Sequence, residues 1–131
     1  MFADTSYFIA LSNVRDEHHA AAIAASRGAW TEIVTTELIL LELGAAFRKP
    51  GDRSDFIAID RMLRTRADVL LIPATSALIE RGRDLFAARP DKEWSLTDCI
   101  SFVVMADCAI SDALTTDHHF AQAGFRVLIA G

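Results

Sequence analysis

Four acidic residues stand at places in the chain where a carboxylate could do chemistry. Asp4 and Asp117 each follow a short apolar run and precede a segment of helical composition, in MFADTSYF and DALTTDHHF. Asp98 lies in SLTD, and Glu42 lies inside the apolar stretch ELILLELGAAF. Hard divalent cations such as Mg²⁺ and Mn²⁺ prefer clusters of carboxylate oxygens and take a substrate phosphate as a further ligand. A metal site is therefore the chemistry that these four residues could carry together.

Taken one at a time, three of these acids also have ordinary structural explanations. Asp117 could cap the short helix that follows it, with Gly124 just past that helix's end. Asp98 fits the S/T-x-x-D/E capping box, with Ser95 as the N-cap. Asp4 could cap or turn the chain at the end of the first strand. None of the three is specific by itself, so the argument depends on whether the fold brings them together.

Glu42 is harder to explain as a structural residue. Its neighbours one helical turn away are apolar: Leu38, Ile39, Ala45 and Ala46. This pattern predicts that the Glu42 carboxylate lies along an apolar, sheet-facing surface, where burial without a partner would cost several kcal/mol. No Lys or Arg lies within a turn to compensate it, so a cation or a shared proton is the expected partner. Glu37, near the helix start, is explained by the helix dipole and solvent.

The four histidines give less support to a zinc site. The sequence has no HExxH motif, and the histidines occur as two adjacent pairs, His18-His19 and His118-His119. Adjacent residues of a helix point to different sides, so neither pair is expected to bind one ion through both rings. His118 or His119 follows Asp117 closely enough to touch a substrate, although a polar surface role is the commoner one.

The elements that must position the acids alternate between strand and helix. The predicted strands are 2–4, 30–36, 69–74, 112–117 and 126–130, and the predicted helices are 5–12, 17–27, 37–49, 55–67, 75–89, 95–110 and 118–124. Asp16 is expected to cap the second of these helices and Gly28 to end it. Continuous apolar strands alternating with helices predict an α/β fold, a three-layer α/β/α sandwich with a central, mostly parallel sheet, formed by 1–131 as a single domain.

This fold class gives two of the acids a shared location. In open parallel sheets, ligands bind outside the carboxyl ends of the strands. Asp4 and Asp117 each follow a predicted strand directly and precede a helix. We therefore expect both carboxylates at the same edge of the sheet.

Composition narrows the environment and the partners. The formal charge of −5 gives the whole molecule no attraction for nucleic acid, although basic residues outnumber acidic ones between Arg48 and Arg66. Charges interrupt the apolar runs before they reach membrane-spanning length, and Asp4 interrupts any secretory h-region. Cys99 and Cys108 would lie on opposite faces of one helix, so we expect two reduced, mostly buried thiols in a cytoplasmic protein.

At these residues the chain resembles the PIN-domain family and, within it, the VapC-type ribonuclease toxins. The resemblance rests on FADTSYFIAL, the helix with Glu42, DKEWSLTDCISFVVM and ALTTDHHFAQAGFRVL. It implies an endoribonuclease dependent on Mg²⁺ or Mn²⁺. The implied catalytic and metal-binding residues are Asp4, Glu42, Asp98 and Asp117, with Ser6 and Thr115 as secondary candidates. It also implies an RNA substrate, a homodimer, and an antitoxin protein whose basic side chain enters the acidic pocket.

Other functions remain open at this stage. The chain could be a PIN protein of RNA processing rather than a toxin, or a PIN-like scaffold that binds a partner along an apolar helical stripe. That stripe comprises Phe47, Phe56, Ile59, Met62 and Leu63. Core packing explains most of it equally well. Phosphoryl transfer through an aspartyl phosphate, as in haloacid-dehalogenase phosphatases, needs a second acid two residues after the first, where this chain has Ser6.

Overall fold

The computed structural model describes residues 1–27 and 32–129, and its centre is a five-stranded sheet. The strands are β1 Phe2–Ala3, β2 Ile33–Thr36, β3 Val69–Ile72, β4 Asp112–Leu114 and β5 Arg126–Val127. They lie in the order β3-β2-β1-β4-β5, and every neighbouring pair is parallel. The predicted α/β class and parallel sheet are confirmed.

Seven helices among the described residues connect these strands. They are α1 Thr5–Ser12, α2 His19–Ser26, α3 Glu37–Ala46, α4 Arg53–Thr65, α5 Ser76–Ala88, α6 Leu96–Asp107 and α7 His119–Gln122. The chain steps from β1 to β2 to β3 in one direction and then returns past β1 to β4 and β5. Since crossover connections between parallel strands are right-handed, this reversal puts α1–α4 on one face and α5–α7 on the other. The result is the predicted three-layer sandwich.

The core is built from the inward faces of these layers. Its largest fully buried side chains include those of Tyr7, Phe2, Phe8, Phe120, Ile33, Ile39, Leu43 and Ile100. Four residues of the predicted apolar stripe pack against this core while partly exposed, namely Phe47, Phe56, Ile59 and Met62, and Leu63 is buried in it. Core packing therefore accounts for most of the stripe.

Helices α5 and α6 pack very closely, which fixes the helix that carries Asp98. A Cβ atom added to Gly82 would lie 2.3 Å from Ile100 Cγ1, so only glycine fits at this contact. At the far end of α6, Arg81 forms a two-pronged ion pair with Asp107, with Nη2 and Oδ1 2.9 Å apart. These contacts hold α6 against α5 at both its middle and its end.

Helix α1 has its predicted bounds, and the other six helices differ from the sequence predictions by one to three residues at one or both ends. The cap predicted at Asp16 is wrong, because α2 has His18 as its N-cap residue. Asp16 Oδ1 instead accepts the His18 N–H at 2.8 Å and stabilises the turn before the helix. Helix α3 ends at Ala46 rather than at 49 because the residues approaching Pro50 leave the α conformation.

Some predictions fall on residues that the structure does not describe. Gly28, the predicted end of the second helix, lies outside the described residues, as do positions 30 and 31 of the second predicted strand and position 130 of the last. Within the described part, the second strand is observed at Ile33–Thr36 and the last at Arg126–Val127.

Both cysteines are free, as predicted, but they differ in exposure. Cys99 is buried in α6, whereas Cys108 is exposed, so the expectation that both are mostly buried is wrong for Cys108. The reason is that Cys108 is the C-cap residue of α6, where the helix leaves the core. Among the described residues, no helix has the length and apolarity needed to cross a membrane.

Candidate active site

The carboxyl ends of β1 and β4 meet at Asp4. The Asp4 backbone N–H donates to the Leu114 carbonyl at 3.1 Å, which extends the pairing of the two parallel strands. The Asp4 side chain is 6% exposed and accepts from two hydroxyls. Thr115 Oγ1 donates to Asp4 Oδ2 at 2.8 Å, and Ser6 Oγ donates to the same oxygen at 3.1 Å. The secondary candidates Ser6 and Thr115 thus fix the orientation of the Asp4 carboxylate.

The charge of this buried carboxylate is poorly compensated. Burial raises the pKa of Asp4 from 3.8 to about 6, although hydrogen bonds from Thr115, the Thr5 N–H and Ser6 oppose the rise. The negative charge of Asp98 raises the pKa further. Asp4 and Asp98 are therefore close enough to repel each other when both are ionised.

Asp98 lies in the first turn of α6 and forms the predicted capping box. The Asp98 N–H donates to Ser95 Oγ, and the Ser95 N–H donates to Asp98 Oδ2, both at 3.0 Å. Burial raises the pKa of Asp98, and the charge of Asp117 raises it further, whereas the bonds from Ser95 lower it. Asp98 therefore caps its helix and also faces a second carboxylate.

Asp117 lies in the turn between β4 and α7. Its backbone N–H donates to Thr115 Oγ1 at 3.0 Å, so one threonine hydroxyl joins Asp117 to Asp4. Asp117 Oδ1 accepts the His119 N–H at 2.9 Å, but His118 is the N-cap residue of α7, so the predicted cap at Asp117 is wrong and this bond stabilises the turn before the helix. Gly124 follows α7 with φ +97, as the predicted helix end requires. The expected common edge for Asp4 and Asp117 is confirmed.

The two histidines after Asp117 do not behave as predicted. Their rings lie side by side, with centroids 4.3 Å apart, rather than on different sides of a helix. His118 directly precedes α7, whose first residue is His119. His119 Nδ1 lies 2.9 Å from Asp117 Oδ1 and 3.8 Å from Asp98 Oδ2.

Glu42 reaches this edge from α3, but its surroundings differ from the prediction. The buried face of α3 is formed by Ile39, Leu40 and Leu43, and Glu42 lies half-buried at the border of that face. Thr5 Oγ1 donates to Glu42 Oε1 at 2.6 Å, so the expectation of a buried, unpartnered carboxylate is wrong. Because Thr5 directly follows Asp4, this bond still draws Glu42 toward the other acids.

Two residues of the cluster had no role in the sequence interpretation or only a minor one. Thr5 holds Glu42 across 37 positions of sequence, and a hydroxyl next to Asp4 is the only sequence signal for that contact. His119 contacts two of the four acids, and its signal was only its closeness to Asp117. Glu37, the other acid of α3, accepts the Ala74 N–H at 2.9 Å, and this bond adds to the dipole explanation.

The donor set suits a hard divalent cation. The arginine–aspartate ion pairs of the described residues lie elsewhere, at Asp60, Asp68, Asp91, Asp107 and Asp112. At the sheet edge, the charge of Asp98 instead raises the pKa of Asp4, and the charge of Asp117 raises that of Asp98. Carboxylate oxygens of this kind are the ligands that Mg²⁺ and Mn²⁺ prefer. Side-chain ligand atoms of Asp117, His118 and His119 also lie within 4.8 Å of one another, but imidazole nitrogens suit softer transition metals, so the two histidines are not counted among the ligands of a hard cation.

The fold of this chain is that of a known family. The PIN domain model matches residues 1–126, and the chain belongs to the PIN-domain family. Over 126 residues it is 29% identical to the 23S rRNA-specific endonuclease VapC20 of Mycobacterium tuberculosis, strains CDC 1551 and H37Rv, with 95% of each chain covered. The crystal structure of M. tuberculosis VapC20, described as a sarcin-ricin loop cleaving toxin, matches with a TM-score of 0.85 at 28% identity and covers 95% of both chains.

Proposed function

We propose that this protein is an endoribonuclease dependent on Mg²⁺ or Mn²⁺, and that it is the toxin of a type II toxin–antitoxin pair. The observation that carries the proposal is the Asp4 carboxylate, buried at the edge of the sheet beside Asp98 and held by hydroxyls rather than by a cationic side chain. Membership of the PIN-domain family and the similarity to a VapC-type endonuclease support the choice of RNA as substrate.

In this proposal Asp4, Asp98, Asp117 and Glu42 hold the cation. When bound, a divalent cation neutralises charge on the scissile phosphodiester and activates water for attack on phosphorus. Ser6 and Thr115 act on Asp4: both hydroxyls donate to Oδ2, which fixes the carboxylate plane. Thr5 acts in the same way on Glu42. The chain's own residues thus supply ligands and orientation, and Ser6 Oγ is engaged with Asp4 rather than poised as a nucleophile.

The substrate class follows from the relatives. VapC20 is named for cleavage of 23S rRNA at the sarcin-ricin loop. We propose ribosomal RNA, and a hairpin of that loop as the first substrate to test. A cognate antitoxin, a homodimer and a cytoplasmic location belong to the same proposal. RNA processing without a toxin role is the second candidate, because the site chemistry is the same for both.

The direct test compares wild type with Asp98→Asn on the sarcin-ricin hairpin in Mn²⁺. The asparagine side-chain oxygen can still accept the Ser95 N–H, so the capping box should persist while one negative charge is lost. Asp112→Asn is the matched control, because Asp112 is paired with Arg126 at the other end of β4. We expect cleavage by wild type and Asp112→Asn, loss of cleavage with chelator, and no cleavage by Asp98→Asn. Equal cleavage by highly purified Asp98→Asn would contradict the proposal.

The toxin role needs a separate experiment. Expression of wild type, but not of Asp98→Asn, should arrest growth, and coexpression of a small protein encoded beside the gene should restore it. RNA cleavage without growth arrest would favour the processing role.

A further inference from the structure

We propose that His119 is a positioning residue of this site, which holds the carboxylates of Asp117 and Asp98 in the arrangement that accepts a divalent cation. This inference rests on the proposed function. It assigns to His119 an action through two ligands, rather than contact with the substrate or the cation.

Geometry supplies the first argument. His119 Nδ1 lies 2.9 Å from Asp117 Oδ1, a donor–acceptor distance, and 3.8 Å from Asp98 Oδ2. A lone pair on Nδ1 would face two carboxylates, so the proton belongs on this nitrogen, where it attracts both. The side chain is 21% exposed, between the 28% of Asp117 and the 14% of Asp98, so the contact is shielded from bulk water.

The second argument is the connectivity of the acids. Thr115 joins Asp4 to Asp117 through its hydroxyl, and Thr5 joins Glu42 to the start of α1. Asp98 is held by the capping box of its own helix, and His119 is the side chain that contacts both it and Asp117. His119 therefore closes the chain of contacts between the α6 and α7 sides of the site.

The adjacent histidine provides an internal control. His118 has nearly the same sequence position, but its side chain is 75% exposed and its Nδ1 lies 3.9 Å from Asp117 Oδ1. Its ring lies against that of His119 with centroids 4.3 Å apart. A general effect of losing an imidazole near the acids should appear in both alanine variants, whereas the positioning effect should appear only at His119.

Mn²⁺ binding measured by calorimetry on the full chain is the test. Outer-shell partners of metal ligands are worth 10–100-fold in affinity, so His119→Ala should weaken Mn²⁺ binding by about that factor, and His118→Ala should leave it unchanged. His119→Asn should recover most of the loss, because its amide nitrogen lies near the position of Nδ1. His119→Gln should not, because its amide nitrogen lies near the position of Nε2.

Hydrolysis of the sarcin-ricin hairpin adds a second readout. If His119 positions ligands, saturating Mn²⁺ should restore kcat of His119→Ala toward wild type. Unchanged Mn²⁺ affinity with kcat still lost at saturation would overturn the inference, because it indicates direct action on the substrate. Rescue by Gln but not by Asn would also overturn it, because it indicates ligation through Nε2. Should His119→Ala not fold, the Asn and Gln variants decide the question.

Failure of the inference is distinguishable from failure of the proposed function. Wild type that binds no Mn²⁺ and cleaves no RNA overturns both. Wild type that does both, with His119→Ala equal to His118→Ala in Mn²⁺ affinity, overturns only the role of His119.

Discussion

The two ends of strand β4 carry aspartates in opposite electrostatic situations. At the amino end, Asp112 accepts two hydrogen bonds from Arg126 of the neighbouring strand, and this guanidinium lowers the pKa of Asp112. At the carboxyl end, Thr115 and Leu114 hold Asp4, whose pKa burial raises to about 6. One end of β4 thus carries an arginine-paired carboxylate, and the other end adjoins carboxylates whose ion pairs involve no arginine among the described residues.

This difference separates structural aspartates from functional candidates. Asp68, Asp91 and Asp107 resemble Asp112, since each has an arginine partner that lowers its pKa. Asp4 has hydroxyl and backbone donors instead, and Asp98 has Ser95 and the neighbouring His119. Burial raises the pKa of both aspartates although these partners oppose the rise. Hydrogen bonds orient a carboxylate without cancelling its charge, so this second group is left able to attract a cation.

The largest expected effect is on catalysis. Asp4→Asn should lower kcat for the sarcin-ricin hairpin by at least about 100-fold, the scale for losing one group that supports electrostatic stabilisation at a reacting centre. Asp112→Asn should leave kcat within the error of the assay. Initial rates in saturating Mn²⁺ measure kcat of both variants. An equal loss of kcat in the two variants would show that the aspartates at the two ends of β4 do not differ in function.

The next largest effect is a pH dependence of the stability of the metal-free protein. The pKa of Asp4 is raised from 3.8 to about 6 on folding, so folding favours the protonated carboxyl. Its contribution to the free energy of unfolding is fully present below about pH 4 and is lost as the pH rises through about 6, with a total of about 3 kcal/mol. Asp4→Asn should therefore be more stable than wild type at pH 8 and lose that advantage at pH 4.

Denaturant unfolding in EDTA at the two pH values measures this difference. The arginine-paired aspartates have a pH dependence of the opposite sign. Because their pKa values are lowered on folding, their contribution to the free energy of unfolding is lost only as the pH falls below about 4. The difference between wild type and Asp4→Asn isolates the single group. An advantage of Asp4→Asn that persists unchanged at pH 4 would show that it does not come from the Asp4 charge.

Cation binding should reverse the destabilisation that the ionised Asp4 carboxylate causes in the metal-free protein. Ligand at 100 times its Kd adds about 2.7 kcal/mol to the free energy of unfolding, so Mn²⁺ should raise the Tm of wild type by several degrees. Asp4→Asn should show a much smaller rise, and Asp112→Asn should match wild type. Thermal unfolding with and without Mn²⁺ provides the data, and equal rises in all three proteins would point to binding elsewhere.

The smallest effect concerns the surface ion pairs. Exposed pairs such as Arg89–Asp91 contribute little because solvent and salt screen them. Asp91→Asn should change neither the Tm appreciably nor the Mn²⁺ response. A clear loss of Mn²⁺ affinity in Asp91→Asn would contradict the comparison, because it would show that an arginine-paired aspartate also contributes to cation binding.

Parts of this arrangement follow from sequence because they depend on local rules. Helix α1 has its predicted bounds, and the Ser95–Asp98 capping box forms as its spacing indicates. Asp4 and Asp117 share an edge because the ends of parallel strands must do so. These features need only the alternation of strands and helices and the chemistry of helix caps.

Other parts depend on contacts that no local pattern specifies. The Thr5–Glu42 bond depends on how α1 and α3 pack, and the sequence pattern predicts a buried, apolar environment that Glu42 does not have. The placement of His119 near Asp98 and Asp117 depends on how α6 and α7 pack. Each of these differences lies at the candidate site, where packing decides which polar groups meet.

The central claim is that the uncompensated acids at the carboxyl edge form one cation site. Calorimetric titration of Mn²⁺ into wild type, Asp4→Asn and Asp112→Asn tests it most directly. The account predicts binding by wild type and Asp112→Asn and its loss in Asp4→Asn. Binding by Asp4→Asn with wild-type affinity, or no binding by wild type, would contradict it.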